Sequence, residues 1–252
     1  ILYIKRHVGT SFNITIYTYN KFIMFLKKVI NLFLPPILKP VIIKEIINKR
    51  IRSKDSISYE KNFFDRRSFI LRAILNKDKN NCKYLEIGVC KNEVFNTIPI
   101  KIENKIGVDP VEGGTHRMTS DEFFKKNIEF FDVIFVDGLH HYEQCQKDCI
   151  NALSFLKKNG IILFHDFLPK NAFEEAVPRK QTRWTGDVWK VAVELNNSKN
   201  LKFVIANIDN GVGILKKNEN YEYKKIEKLK SENFKDYIER YYKLLPIVTV
   251  EK

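Results

Sequence analysis

FDVIFVDG, residues Phe131–Gly138, is a short apolar run rich in Val, Ile and Phe that stops on an acid and a glycine. A run of that length and composition reads as a buried strand. Three further runs share the pattern: YLEIG at Tyr84–Gly88, KIGVD at Lys105–Asp109 and GIILFHD at Gly160–Asp166. In an open parallel sheet, ligands bind beyond the carboxyl ends of the strands. Glu86, Asp109, Asp137, His165 and Asp166 are therefore expected to converge on one rim, and a chain built that way is expected to be an enzyme.

Outward from these strands the pattern alternates. Glu60–Leu75 has helical apolar spacing, and Asn76–Asn81 is turn-like. Glu93–Ile98 reads as a short crossover and Pro110–Arg117 as a loop. Ser120–Lys126 reads as a short helix with Ser120 as its N-cap. Tyr142–Lys158 reads as a full helix closed by Asn159-Gly160, and Gly186–Leu195 as another. Leu201–Ala206 and Gly213–Leu215 are two more strands. Asn210-Gly211 between them is a tight-turn signal, so this pair should be antiparallel at the end of a mostly parallel sheet. The organisation expected is an α-helical extension over 1–58, an α/β domain over 59–217, and a peripheral helical tail over 218–252.

The chain has 252 residues, 44% of them hydrophobic, and a net charge of +14. That charge comes mainly from Lys, which lacks the bidentate fork favoured for base and phosphate recognition. A general attraction to anionic surfaces is expected, and no specific nucleic-acid partner. The four cysteines show no CxxC pair and no zinc spacing, which points to free thiols in a reducing, cytoplasmic compartment. The most apolar segment, Phe22–Ile47, is interrupted by lysines and by Pro35, Pro36 and Pro40. A spanning helix is not expected there. Two readings remain open for it: helices that pack on the main domain or a partner, and a basic amphipathic element in peripheral contact with a membrane.

Gly88 marks the point where backbone can approach a ligand, because it has no side chain. Asp109 follows about 20 residues later, where a carboxylate can accept both hydroxyls of a ribose. Together they suggest a nucleoside-containing cofactor. The order EIGV, GVDP, TSDEFF, FDVIFVDGLHHYEQ, LKKNGIILFHD and GDVWK, from Asn62 to Lys217, resembles the class I S-adenosylmethionine-dependent methyltransferases. It looks closest to the bacterial sugar O-methyltransferase branch. The resemblance implies a Rossmann-like seven-stranded sheet and S-adenosylmethionine as cofactor. Glu86 and Gly88 would meet its methionine moiety, Asp109 its ribose, and Ser120 and Asp121 its adenine, with Asp137 also among the cofactor contacts. Asn92 stands where the family usually has another glycine.

In the related enzymes, acids at the two strand ends bind a divalent cation. That assigns Asp137 and Asp166 to Mg²⁺, although the usual third acid is replaced by Phe167. Without a cation a general base is required, and three of the five histidines, His140, His141 and His165, lie on this rim. His140 is the first choice, with Asp137 and His165 beside it as catalytic candidates. His141, Trp184 and Asp187 are candidates for holding a sugar ring, Asp187 having a helix cap as its alternative. Phe63, Phe64 and Arg67 are candidates to cover the cofactor. The expected activity is O-methylation of a sugar hydroxyl in a glycan, glycolipid or related precursor. The rivals are a non-catalytic scaffold of the same fold and a nucleic-acid methyltransferase.

Overall fold

The computed structural model describes residues 65–78 and 81–250. The expectations for 1–58, and those for Phe63 and Phe64, fall outside these residues. Strands β1 (Tyr84–Ile87), β2 (Lys105–Val108), β3 (Phe131–Val136), β4 (Leu156–Phe164), β5 (Lys199–Ala206), β6 (Val212–Glu222) and β7 (Ile247–Val248) form one sheet. Its order is β2-β1-β3-β4-β6-β5-β7. The first four strands are parallel, and β6 runs antiparallel between β4 and β5. This is the α/β, Rossmann-like class expected, with its antiparallel hairpin.

Register builds the rim. Ile87 pairs with Val108 on one side and Val136 on the other, and Val136 pairs with Phe164. The next residue in each strand is thus Gly88, Asp109, Asp137 or His165. All four residues of β1 are buried, as a strand covered on both faces requires. On one face Tyr84, Val133, Phe135 and Leu163 pack against Ile70, Ala73 and Ile74 of helix α1 (Arg66–Leu75). The alternate residues Leu85, Ile134 and Ile162 are fully buried on the other face, following the two-residue strand period.

Several boundaries differ from expectation for physical reasons. Helix α2 (Ser120–Lys126) is capped by Thr119, not Ser120, in a reciprocal capping box with Glu122. Helix α3 covers Tyr142–Phe155 and stops short of Lys158. Leu156 turns into the core and the chain bulges, pairing Phe131 with Leu156 but Val133 with Ile161. Gly160 does not end the helix. It leaves room for Leu156, whose Cδ1 would lie 2.6 Å from an added Cβ. After the short helix α4 (Ala172–Glu175), helix α5 covers Trp189–Asn197 and excludes Gly186, whose φ of +63° is not helical.

The tail differs most from the peripheral helix expected. Residues 218–222 extend β6, and β7 adds the seventh strand, parallel to β5. Between them lie a short helix α6 (Phe234–Asp236) and single turns of 3₁₀ and π type. Tyr237 and Tyr241 pack their rings 4.9 and 5.6 Å from the fully buried Trp189. No described helix is long and apolar enough to cross a membrane.

Candidate active site

The β1 and β2 ends form one half of the site. Gly88 has φ +83°, and an added Cβ would lie 2.0 Å from the Asp137 carbonyl oxygen. The glycine therefore lets the ends of β1 and β3 touch. Glu86 is buried, accepts a 2.6 Å hydrogen bond from the Tyr84 hydroxyl, and is pushed by burial up to about 7. Asp109 is clamped by backbone: its Oδ2 accepts from Cys90 N, and its Oδ1 from Val111 N and Glu112 N, at 2.8–3.0 Å. A carboxylate offers about four acceptor positions, so three amides leave little capacity for a ribose unless the 110–112 loop exchanges. Asn92 adopts φ +65° and accepts from Gly114 N, so this loop and the turn after β1 are tied together. The glycine-like conformation survives at Asn92. Ser120 and Asp121 both accept from Gln144 of α3, which also bonds the buried Asp148.

The β3 and β4 ends form the other half, and here the expected residues do come together. His165 Nδ1 lies 3.2 Å from Asp137 Oδ1 and 3.3 Å from Asp166 Oδ1. His140 Nδ1 lies 3.0 Å from the Trp184 carbonyl oxygen, which can only accept, so Nδ1 carries the proton. The same nitrogen is 3.3 Å from Asp166 Oδ2, and Nε2 is 3.6 Å from Asp137 Oδ1. Three residues that the sequence did not mark for the site, Arg66, Asp209 and Asn210, complete the cluster. Asp209 Oδ2 accepts from both Arg66 N and Arg66 Nη1 at 3.0 Å, and Arg66 Nε is 3.7 Å from Asp137 Oδ2. Asn210 Nδ2 donates to Asp166 Oδ1 at 3.0 Å.

Three carboxylates thus surround one permanent cation, and the field is strongly negative. Burial opposes charge on both histidines. Even so, Asp137 and Asp166 raise His165 well above its ordinary value, and they raise His140 too. Burial likewise opposes ionisation of Asp137, yet His165 and then His140 hold it below the usual carboxylate range. Ligand atoms of Asp137, His140 and Asp166 lie within 4.8 Å of one another. A metal-bound imidazole usually donates its other N–H to a carbonyl or carboxylate. The Nδ1–H of His140 already does so, leaving Nε2 facing Asp137. The residues present fit a divalent cation.

The 167–187 segment covers this half. Trp184 stacks on His140 at 5.0 Å and meets His141 edge-on at 6.0 Å. Its Nε1 donates to the Ala176 carbonyl oxygen. Gly186 allows the approach, since a Cβ there would lie 1.7 Å from the His140 carbonyl oxygen. Asp187 does not cap α5, the helix it precedes, as its alternative reading had it. It accepts from Tyr142 N at 2.7 Å, capping α3, and pairs with the buried Lys190 at 2.9 Å. Trp189 is core. Arg67 faces away, bonded to Asp65; the guanidinium at the rim belongs to its neighbour Arg66.

No curated protein sequence matches the chain. An O-methyltransferase from Bacillus cereus in complex with SAH is 9% identical, covering 68% of this chain and 88% of its own, with a TM-score of 0.46. An SAH-bound methyltransferase from Podospora anserina is 14% identical, covering 85% of this chain and 100% of its own, with a TM-score of 0.43. Residues 104–167, from the start of β2 to just past Asp166, match the family model described as a methyltransferase domain.

Proposed function

We propose that the protein is an S-adenosylmethionine-dependent O-methyltransferase whose acceptor hydroxyl is held at the β3–β4 rim. The observation that carries the reading is the position of the Asp137–His140–Asp166 cluster inside the segment that matches a methyltransferase domain. S-Adenosylmethionine would lie along Gly88 and Asp109, its sulfonium already activated toward transfer. The protein's task is then alignment and removal of the hydroxyl proton. Asp137, His140 and Asp166 would hold Mg²⁺, which supplies acceptor orientation and a lowered hydroxyl pKa. His165 favours the ionised form of Asp137 for that purpose, and Arg66 Nε lies 3.7 Å from its Oδ2. His140 acting alone as base is less favoured, because its Nδ1–H is committed to the Trp184 carbonyl oxygen and its Nε2 faces Asp137. A sugar hydroxyl of a glycan or glycolipid precursor is the acceptor class we favour, on the resemblance of the strand-end motifs.

Transfer of labelled methyl from S-adenosylmethionine to a panel of sugars and vicinal diols, with Mg²⁺ and with chelator, tests this. Labelled product that disappears with chelator supports the reading; no product with any hydroxyl acceptor contradicts it. A non-catalytic scaffold draws its support from Asp109, whose clamp by three amides serves the fold without a cofactor.

A further inference from the structure

The ends of β3 and β4 supply two acids, Asp137 and Asp166, where the resemblance leads one to expect three, because Phe167 occupies the third position and is fully buried; the cluster's remaining carboxylate, Asp209, is paired with Arg66. The hairpin turn between β5 and β6 fills the gap from the other side. Asn210 is held at both ends of its amide: Nδ2 donates to Asp166 Oδ1 at 3.0 Å, and Oδ1 accepts from Arg183 Nη2 at 2.5 Å. Arg183 precedes Trp184, whose carbonyl fixes His140. Two adjacent residues of the covering segment therefore reach two of the three ligand candidates, Trp184 touching His140 directly and Arg183 reaching Asp166 through Asn210.

We propose that Asn210 is a positioning residue that fixes the Asp166 carboxylate for cation binding and couples it to the covering segment through Arg183. This rests on the cation part of the proposed function. With Oδ1 of Asp166 engaged by Asn210 and by His165, only Oδ2 faces His140. Without the amide the carboxylate is free to rotate between orientations. Loss of such an outer contact to a metal ligand typically weakens metal affinity about 10–100-fold.

Asn210 has φ +61°, so Asn210→Gly removes the amide while keeping a backbone that glycine adopts freely. The experiment is calorimetric titration of Mn²⁺ into the 252-residue chain, its Asn210→Gly and Arg183→Ala variants, and the double variant, alongside urea unfolding of each. The expected result is about a tenfold or greater loss of affinity in Asn210→Gly with an unchanged unfolding midpoint. A smaller loss is expected in Arg183→Ala, and the double variant should be no weaker than Asn210→Gly alone, because the contacts act in series. Unchanged affinity in Asn210→Gly would overturn the proposal while leaving the cation site intact. Additive losses would overturn the coupling to Arg183. Absence of Mn²⁺ binding by the unaltered chain would overturn the cation reading itself, and this inference with it.

Discussion

Gly186→Ala separates the covering segment from His140 in one step. The added Cβ would sit 1.7 Å from the His140 carbonyl oxygen, half the 3.4 Å at which ordinary contact begins, and the obstacle is backbone. The φ of +63° adds a left-handed penalty of about 1–2 kcal/mol for a residue with a Cβ. Relief of the clash requires the chain to move off His140, which breaks the 3.0 Å bond from Nδ1 to the Trp184 carbonyl at about 1 kcal/mol. The total is about 2–3 kcal/mol, a fall in Tm of roughly 4–12 °C at this chain length. Cation affinity should fall as well, because the bond that directs Nε2 toward Asp137 is lost. Gly160→Ala is the comparison: its obstacles, the buried Leu156 side chain at 2.6 Å and the Lys157 carbonyl oxygen at 3.1 Å, lie at the end of β4 opposite the rim, so it should lower stability without lowering cation affinity. Thermal unfolding and Mn²⁺ titration of both variants provide the comparison. A Gly186→Ala protein as stable as the unaltered chain, with unaltered cation affinity, would refute the claim that this glycine seats the covering segment.

Other expectations concern buried charges. Glu175 is pushed by burial up to about 7, so the fold favours its protonated form; its contribution is complete below the ordinary 4.5 and is lost as pH rises toward 7. The loss is on the order of 3 kcal/mol, and Glu175→Gln should flatten the slope of urea stability between about pH 5 and about pH 8. Asp187→Ala uncaps α3 and leaves the buried Lys190 unpaired, costing about 3–5 kcal/mol. Asp187→Ala/Lys190→Met should recover part of that by urea unfolding. Asp109→Ala frees three backbone amides, and should lower stability by about 1–3 kcal/mol while abolishing S-adenosylhomocysteine binding. Retained binding would assign Asp109 to the loop alone.

The rim was legible because apolar strands ending in acids carry their own register: once β1, β2, β3 and β4 are parallel, Gly88, Asp109, Asp137 and His165 must align. Asp209 and Asn210 were hidden because Asp-Asn-Gly is complete as a turn signal, and nothing local says that the turn folds back over β4. Arg66 and Arg67 are equivalent to a helical period, and only the packing of α1 decides which reaches Asp137. Asp187 reads locally as a cap for the helix that follows it, and only the assembled fold shows that it bonds Tyr142 N, 45 residues away, at the start of α3. The tail was illegible for another reason. Its 3₁₀ and π turns leave no sustained period, and the pairing of Ile247–Val248 with β5 depends on an edge that only the assembled sheet presents.

The most direct test is calorimetric titration of S-adenosylhomocysteine into the folded protein, with Mg²⁺ and with chelator. The account expects micromolar binding, which would show that Asp109 and the 110–112 loop yield to the cofactor. Well-folded protein that takes up no S-adenosylhomocysteine under either condition would contradict the methyltransferase reading and leave the sheet as a scaffold.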